Sequence, residues 1–189
     1  MLRITGGEFR GRSLLTPSHQ RTRPTAARLR QALFNSLQTV IQDASVLDLF
    51  AGSGSLGFEA LSRGASRVVF VESAKNVQGL IRKNAQILGV TERVRVLGDS
   101  VDHSWKSIVP HAPFDLIFAD PPYADLWERK IFDLYPWNQI LKEGGLFCLE
   151  WGREQLKQGD LAERFPFLVK VRQKLYGDSV LTSFQGTPS

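Results

Sequence analysis

Ser45-Val46-Leu47-Asp48-Leu49-Phe50-Ala51-Gly52-Ser53-Gly54-Ser55-Leu56-Gly57 is the stretch on which the fold turns. Its first six residues are a short apolar run and read as a buried strand; a glycine loop follows, then a helix from about Ser55 to Ser62. The pattern then recurs. Arg67-Val68-Val69-Phe70-Val71-Glu72 is a second strand, and Lys75 to Leu88 fits a helix ended by Gly89. Arg93 to Leu97 is a third strand with Gly98-Asp99 at its end, and a short helix near Val101 to Ile108 precedes a fourth strand, Phe114 to Ala119. After Pro121-Pro122, Leu126 to Leu141 is helical with a break near Pro136, and Gly144-Gly145 turns into a fifth strand, Leu146 to Glu150. Such alternation marks a parallel sheet covered by helices on both faces.

The tail departs from this rhythm. Phe167 to Leu175 and Val180 to Phe184 are strands joined only by Tyr176-Gly177-Asp178-Ser179, which is too short for a crossover and makes them an antiparallel hairpin. A seven-stranded, mostly parallel sheet ending in a hairpin is the expectation: an α/β, Rossmann-like arrangement of the class I S-adenosylmethionine-dependent methyltransferase kind. Residues 43–189 form that domain, and residues 1–42 form a basic extension. In the extension, Leu2 to Thr5 and Gly11 to Leu15 pair across Gly6-Gly7, and Pro17 to Pro24 is a linker. Thr25 is placed to cap a helix whose stripe is Leu29, Ala32, Leu33 and Leu37, with Arg28 and Arg30 off the stripe and free to face a partner.

Length and charge narrow the function classes. The 189 residues suit one domain with a real core, 42% of them being hydrophobic. A single cysteine, Cys148 in an apolar strand, excludes an internal disulfide framework, and His19, His103 and His111 lack ligand spacing, so no metal is expected. No apolar run is long enough to cross a bilayer and the start lacks a signal peptide's hydrophobic stretch, so a cytoplasmic protein is expected. The net charge of +5 is concentrated: residues 1–30 hold seven arginines against Glu8 alone, leaving −1 for the rest. Arginines with few acids among them suit a phosphate-rich partner, because a planar guanidinium pairs bidentately with phosphate and stacks on bases. Arg10, Arg12, Arg21, Arg23, Arg28 and Arg30 are the candidate RNA contacts.

The glycine loop contains a literal G-x-G-x-x-G, with Glu72 at the end of the next strand. A dinucleotide fingerprint looks the same, so an NAD-dependent oxidoreductase stands beside the methyltransferase reading. Asp48 separates them in part, since a carboxylate near the loop would repel a pyrophosphate and favour the cationic S-adenosylmethionine. The loop residues Asp48, Phe50, Ala51, Gly52 and Gly54 are the candidate cofactor contacts, with Glu72 for the ribose hydroxyls and Asp99 with Ser100 for the adenine.

The fourth strand ends in Asp120-Pro121-Pro122-Tyr123. Two consecutive prolines remove two donors and fix the backbone, leaving carbonyl oxygens aimed into a site. An exocyclic amino nitrogen is a poor nucleophile because its lone pair is delocalised into the ring. Hydrogen bonds from its N–H groups to Asp120 and to the Pro121 carbonyl would orient that lone pair and stabilise the positive charge developing on nitrogen. Tyr123 offers a face on which a base drawn out of its stack can lie.

Together, Asp48 to Gly57, Asp120-Pro121-Pro122-Tyr123, and the leading Arg23-Pro24-Thr25 through Ala32-Leu33-Phe34-Asn35 resemble the bacterial RsmD family, as do Ile4-Thr5-Gly6-Gly7 and Arg10-Gly11-Arg12. The resemblance implies methyl transfer from S-adenosylmethionine to N2 of one guanine in 16S ribosomal RNA; the expected substrate is that RNA within a partly or fully assembled small subunit, and the oligomeric state is left open with a monomer favoured. Ala26, Ala27 and Gln31 stand where that family usually has Thr, Asp and Glu, so no role of that acid carries over. Two other readings remain: another amino methyltransferase, acting on DNA or a protein amide, and an RNA-binding protein without catalysis.

Overall fold

In a computed structural model, residues 2–17, 24–122 and 125–188 are described. The extension contributes two short antiparallel strands, β1 (Leu2–Arg3) and β2 (Ser13–Leu14), and the helix α1 (Pro24–Ser36). Then come β3 (Ser45–Leu49), α2 (Ser55–Ser62), β4 (Arg67–Val71), α3 (Lys75–Leu88), β5 (Val94–Leu97), α4 (Trp105–Ile108) and β6 (Phe114–Ala119). The chain closes with α5 (Trp127–Leu134), α6 (Trp137–Ile140), β7 (Leu141–Gly152), α7 (Arg153–Gln158), β8 (Arg164–Phe165), β9 (Leu168–Tyr176) and β10 (Ser179–Gly186).

The strands form one sheet in the order β5-β4-β3-β6-β7-β10-β9-β8. Strands β3 to β7 are parallel, β10 runs antiparallel between β7 and β9, and β8 adds an antiparallel edge to β9. The sheet therefore has eight strands rather than seven. The eighth is a two-residue edge, too short to carry a periodic signal. Strand order reverses between β3 and β6, the point at which open α/β sheets leave a crevice beyond the strand ends.

The two-residue period of the strands sorts the core into two layers. Val46, Val68, Phe70, Leu116 and Phe118 face one cluster; Leu47, Leu49, Val69, Val71 and Ile117 face the other, which Phe132, Trp137, Phe147 and Trp151 fill. The extension does not pack separately. Leu2, Ile4, Phe9, Leu14, Leu33, Phe34 and Leu37 belong to the first cluster, and the Phe34 and Phe118 rings meet at 5.5 Å. A boundary at residue 42 divides the chain by composition, while the core crosses it.

Polar groups also bind the extension to the domain. Glu59 of α2 is fully buried; it accepts from the Thr5 N–H at 2.8 Å and the Thr5 hydroxyl at 2.7 Å, and pairs with Arg63 at 2.8 Å and Arg30 at 3.4 Å. Arg30 also donates to the Arg3 carbonyl at 2.7 Å. This corrects the expectation that Arg30 is free to face a partner: it lies 5% exposed, turned inward by a carboxylate 29 residues away in sequence. Desolvation lowers its pKa below the usual arginine value, opposed by the Glu59 charge.

Candidate active site

The loop after β3 is shaped by three residues in left-handed backbone conformations, Phe50 (φ 58°), Gly52 (φ 53°) and Gly54 (φ 79°). At Gly54 an added Cβ would sit 2.6 Å from the Phe58 ring, and at Gly57 it would run into the Phe70 ring, so both positions require a bare backbone. Glu72, at the end of β4, fixes the loop from the side: its two carboxylate oxygens accept from Gly52 N–H at 2.9 Å and Ala74 N–H at 2.8 Å. From behind, the buried Asn84 of α3 donates to the carbonyls of Ser53 and Leu15 and accepts from Leu15 N–H at 2.8 Å. One amide thus ties the extension to the glycine loop.

Beyond the strand ends lies a cleft of about 810 Å³, within the range of small-molecule sites. Of the residues expected at the cofactor and the reaction, Phe50, Ala51, Gly52, Glu72, Asp99, Ser100, Asp120, Pro121 and Pro122 all line it. Tyr123 lies outside the described residues, as do Arg21 and Arg23. Asp48 and Gly54 are not among the lining residues. Asp48 is 2% exposed and accepts from Gly57 N–H at 2.9 Å, pinning the first turn of α2 from behind. Burial, opposed by that hydrogen bond, raises its carboxyl well above the ordinary range, with the Asp120 and Glu72 charges adding to the rise. Its expected direct attraction for a cationic cofactor is therefore corrected: strand periodicity puts it on the face of Val46, behind the loop.

Acidic side chains line the cleft wall instead. Glu72, Asp99, Asp102, Asp120, Glu150 and Asp178 line it, against Arg30 as the sole cation among the described lining residues. Asp120 is exposed toward solvent and lines this cleft. Desolvation, then the neighbouring Glu150 charge, push its carboxyl up to about 8. Among the described residues no group of three or more His, Cys, Asp or Glu is placed to hold a metal ion.

The family model described as Conserved hypothetical protein 95 matches residues 2–185. The chain is 37% identical over 155 residues to the ribosomal RNA small subunit methyltransferase D of Haemophilus influenzae, covering 82% of this chain and 80% of that one. It is 40% identical over 149 residues to the protein of the same name from Escherichia coli K12, covering 79% and 74%. This chain belongs to the RsmD family. Its structure superposes on that of the Escherichia coli protein yhhF, described as a candidate methyltransferase, with a TM-score of 0.83 at 30% identity, covering 100% of this chain and 99% of the other. The class I, Rossmann-like arrangement expected from the strand pattern is thereby established for this RsmD-family chain.

Several lining residues of this RsmD-family cleft carry no marker that local sequence patterning picks out. Trp127, the first residue of α5, packs edge-on against Phe50 at 5.0 Å, and both rings line the cleft, with the Lys130 ammonium 5.8 Å from the indole. Asp178 and Ser179 arrive from the hairpin turn, brought in because β10 inserts beside β7. Glu150 does have a signal: it is the acid after the apolar run Leu146 to Leu149, as Glu72 and Asp120 follow theirs, although β7 continues to Gly152. Arg10 and Arg28 are exposed, as is Arg12, which donates to the Ile87 carbonyl at 2.8 Å.

Proposed function

We propose that this protein transfers a methyl group from S-adenosylmethionine to the exocyclic N2 of one guanine in 16S ribosomal RNA of the small subunit, in the cytoplasm. The observation that carries the reading is the convergence on one cleft of the glycine loop, Glu72, Asp99, Ser100 and Asp120-Pro121-Pro122. The acidic wall fits a cationic cofactor and would repel the pyrophosphate of a dinucleotide. Support for RNA, and for the small subunit, comes from the names of the relatives and from the basic residues 1–42.

When bound, S-adenosylmethionine supplies the methyl group on a positively charged sulfur. Glu72, already held by Gly52 and Ala74, has remaining lone pairs for the ribose hydroxyls, and Asp99 with Ser100 receives the adenine. Asp120 and the Pro121 carbonyl accept from the target amino group, orienting its lone pair and stabilising the charge that develops on it. No strong base is needed, since an alkylated nitrogen sheds its proton readily. Trp127, which lines the cleft, supplies aromatic surface for the extruded base, and Tyr123 is assigned a stacking role from the tetrapeptide sequence alone.

Calorimetry with S-adenosylmethionine and with NAD tests the cofactor; tight NAD binding without S-adenosylmethionine binding would overturn the reading. Incubation with methyl-labelled cofactor and unmodified small subunits, followed by mapping, tests the substrate. Label on guanine N2 in 16S RNA is expected, and label on another base or on protein would refute it.

A further inference from the structure

Ala119 and Leu149 are paired in parallel register on β6 and β7. The next residue on each strand, Asp120 and Glu150, therefore emerge side by side on adjacent strands, about 4.8 Å apart at the backbone. Both line the cleft, and each follows a buried core residue of its strand. The Glu150 carboxylate is oriented from its far side, where the Ser179 hydroxyl donates to its Oε1 at 2.8 Å. This arrangement is costly by itself, because two carboxylates in one poorly hydrated corner repel each other. Desolvation first, and then the Glu150 charge, raise the pKa of Asp120.

Such a pair is complementary to a ligand edge that presents adjacent donors. Among the amino-bearing bases of RNA only guanine has one, with N1–H directly beside the N2 amino group. Adenine and cytosine each place a ring acceptor next to their amino group, and a carboxylate there would face a lone pair. We propose that Glu150 is the residue that selects guanine, accepting the ring N1–H while Asp120 accepts from the neighbouring amino group. This rests on the reading of Asp120 as the amino-group acceptor.

The proposal predicts a preference that can be measured without any variant. 2-Aminopurine carries the same 2-amino group but has a lone pair at N1. Small subunits assembled on RNA with guanosine or 2-aminopurine riboside at the mapped target position should differ in kcat/KM by about 10- to 100-fold in favour of guanosine. Glu150→Gln then isolates the residue. With the amide oxygen held by the Ser179 hydroxyl, the NH2 group faces the base and meets a donor in guanine but an acceptor in 2-aminopurine. The ratio should fall to about one or invert, whereas a merely structural role would depress both substrates alike and leave the ratio as it was. Equal use of the two bases by the unaltered enzyme, or an unchanged ratio in Glu150→Gln, overturns the assignment. Should the variant fail to give a cooperative melt, equal use of the two bases by the unaltered enzyme still overturns the assignment. Mapping the labelled base on guanosine-containing subunits separates the two failures: label elsewhere than guanine sinks the proposed function itself, while label on guanine N2 with no discrimination sinks the Glu150 role alone.

Discussion

Asp120 is a stronger acceptor for an amino group when ionised, yet the corner in which it sits favours its proton. Replacing it with alanine removes the acceptor without touching the glycine loop or Glu72; turnover is expected to fall by about 100- to 1,000-fold while calorimetry still detects S-adenosylmethionine. Undiminished turnover would remove Asp120 from the reaction. Because its carboxyl is pushed up to about 8, the single-turnover rate should climb with pH toward that value and level off above it. Removing the neighbouring charge in Glu150→Gln should move the inflection to lower pH. The same shift has a sign for stability. A carboxyl that holds its proton more tightly in the folded chain than in the unfolded one favours folding at low pH, and this contribution is lost as pH rises from the ordinary carboxylate range to about 8. Asp120→Asn should accordingly melt higher than the unaltered protein near pH 8 and indistinguishably from it near pH 4, as followed by scanning calorimetry.

At the scale of elements, the junction of β3 and α2 is the part with least room for change. A methyl group at Gly57 would enter the space of the Phe70 ring and lie 2.8 Å from Val68 Cγ1. Gly57→Ala is expected to cost about 1–3 kcal/mol in urea denaturation. It should weaken cofactor binding as well, since Gly57 N–H is the group that Asp48 holds. A variant as stable as the parent would show that the ring can step aside. Which elements were legible follows from the same physics. The parallel strands announce themselves because burial on both faces makes them continuous apolar runs, and α3 ends where Gly89 takes φ 72°. The extended start of β7 was hidden, because Lys142-Glu143-Gly144-Gly145 looks like a loop and its pairing shifts register between Phe114 and Leu116. Of the site, the acids at strand ends could be read from position. The inward turn of Arg30 could not, for Glu59, its partner, is remote in sequence, and the cleft residues of the hairpin turn arrive only through the insertion of β10.

Taken whole, the molecule joins a basic extension to an acidic cleft through a buried ion cluster. Glu59→Gln would leave Arg30 and Arg63 facing each other without a counterion, at a cost of about 3–5 kcal/mol by chemical denaturation. A much smaller cost would mean that the extension is held by its apolar residues alone. On the outer surface, neutralising Arg10, Arg12 and Arg28 together should weaken RNA binding and flatten the plot of log affinity against log salt by about 0.7–0.9 for each phosphate no longer neutralised. An unaltered slope would assign these arginines to solvation only.

The lining of six carboxylates around one arginine has a consequence for how a nucleic acid could be handled. On the proposed function a polyanionic backbone would be drawn to the exposed arginines of the extension and repelled by the cleft wall, whereas an uncharged nucleobase would meet no such barrier. This charge distribution would then act as a filter, disfavouring phosphate in the cleft and admitting the uncharged base.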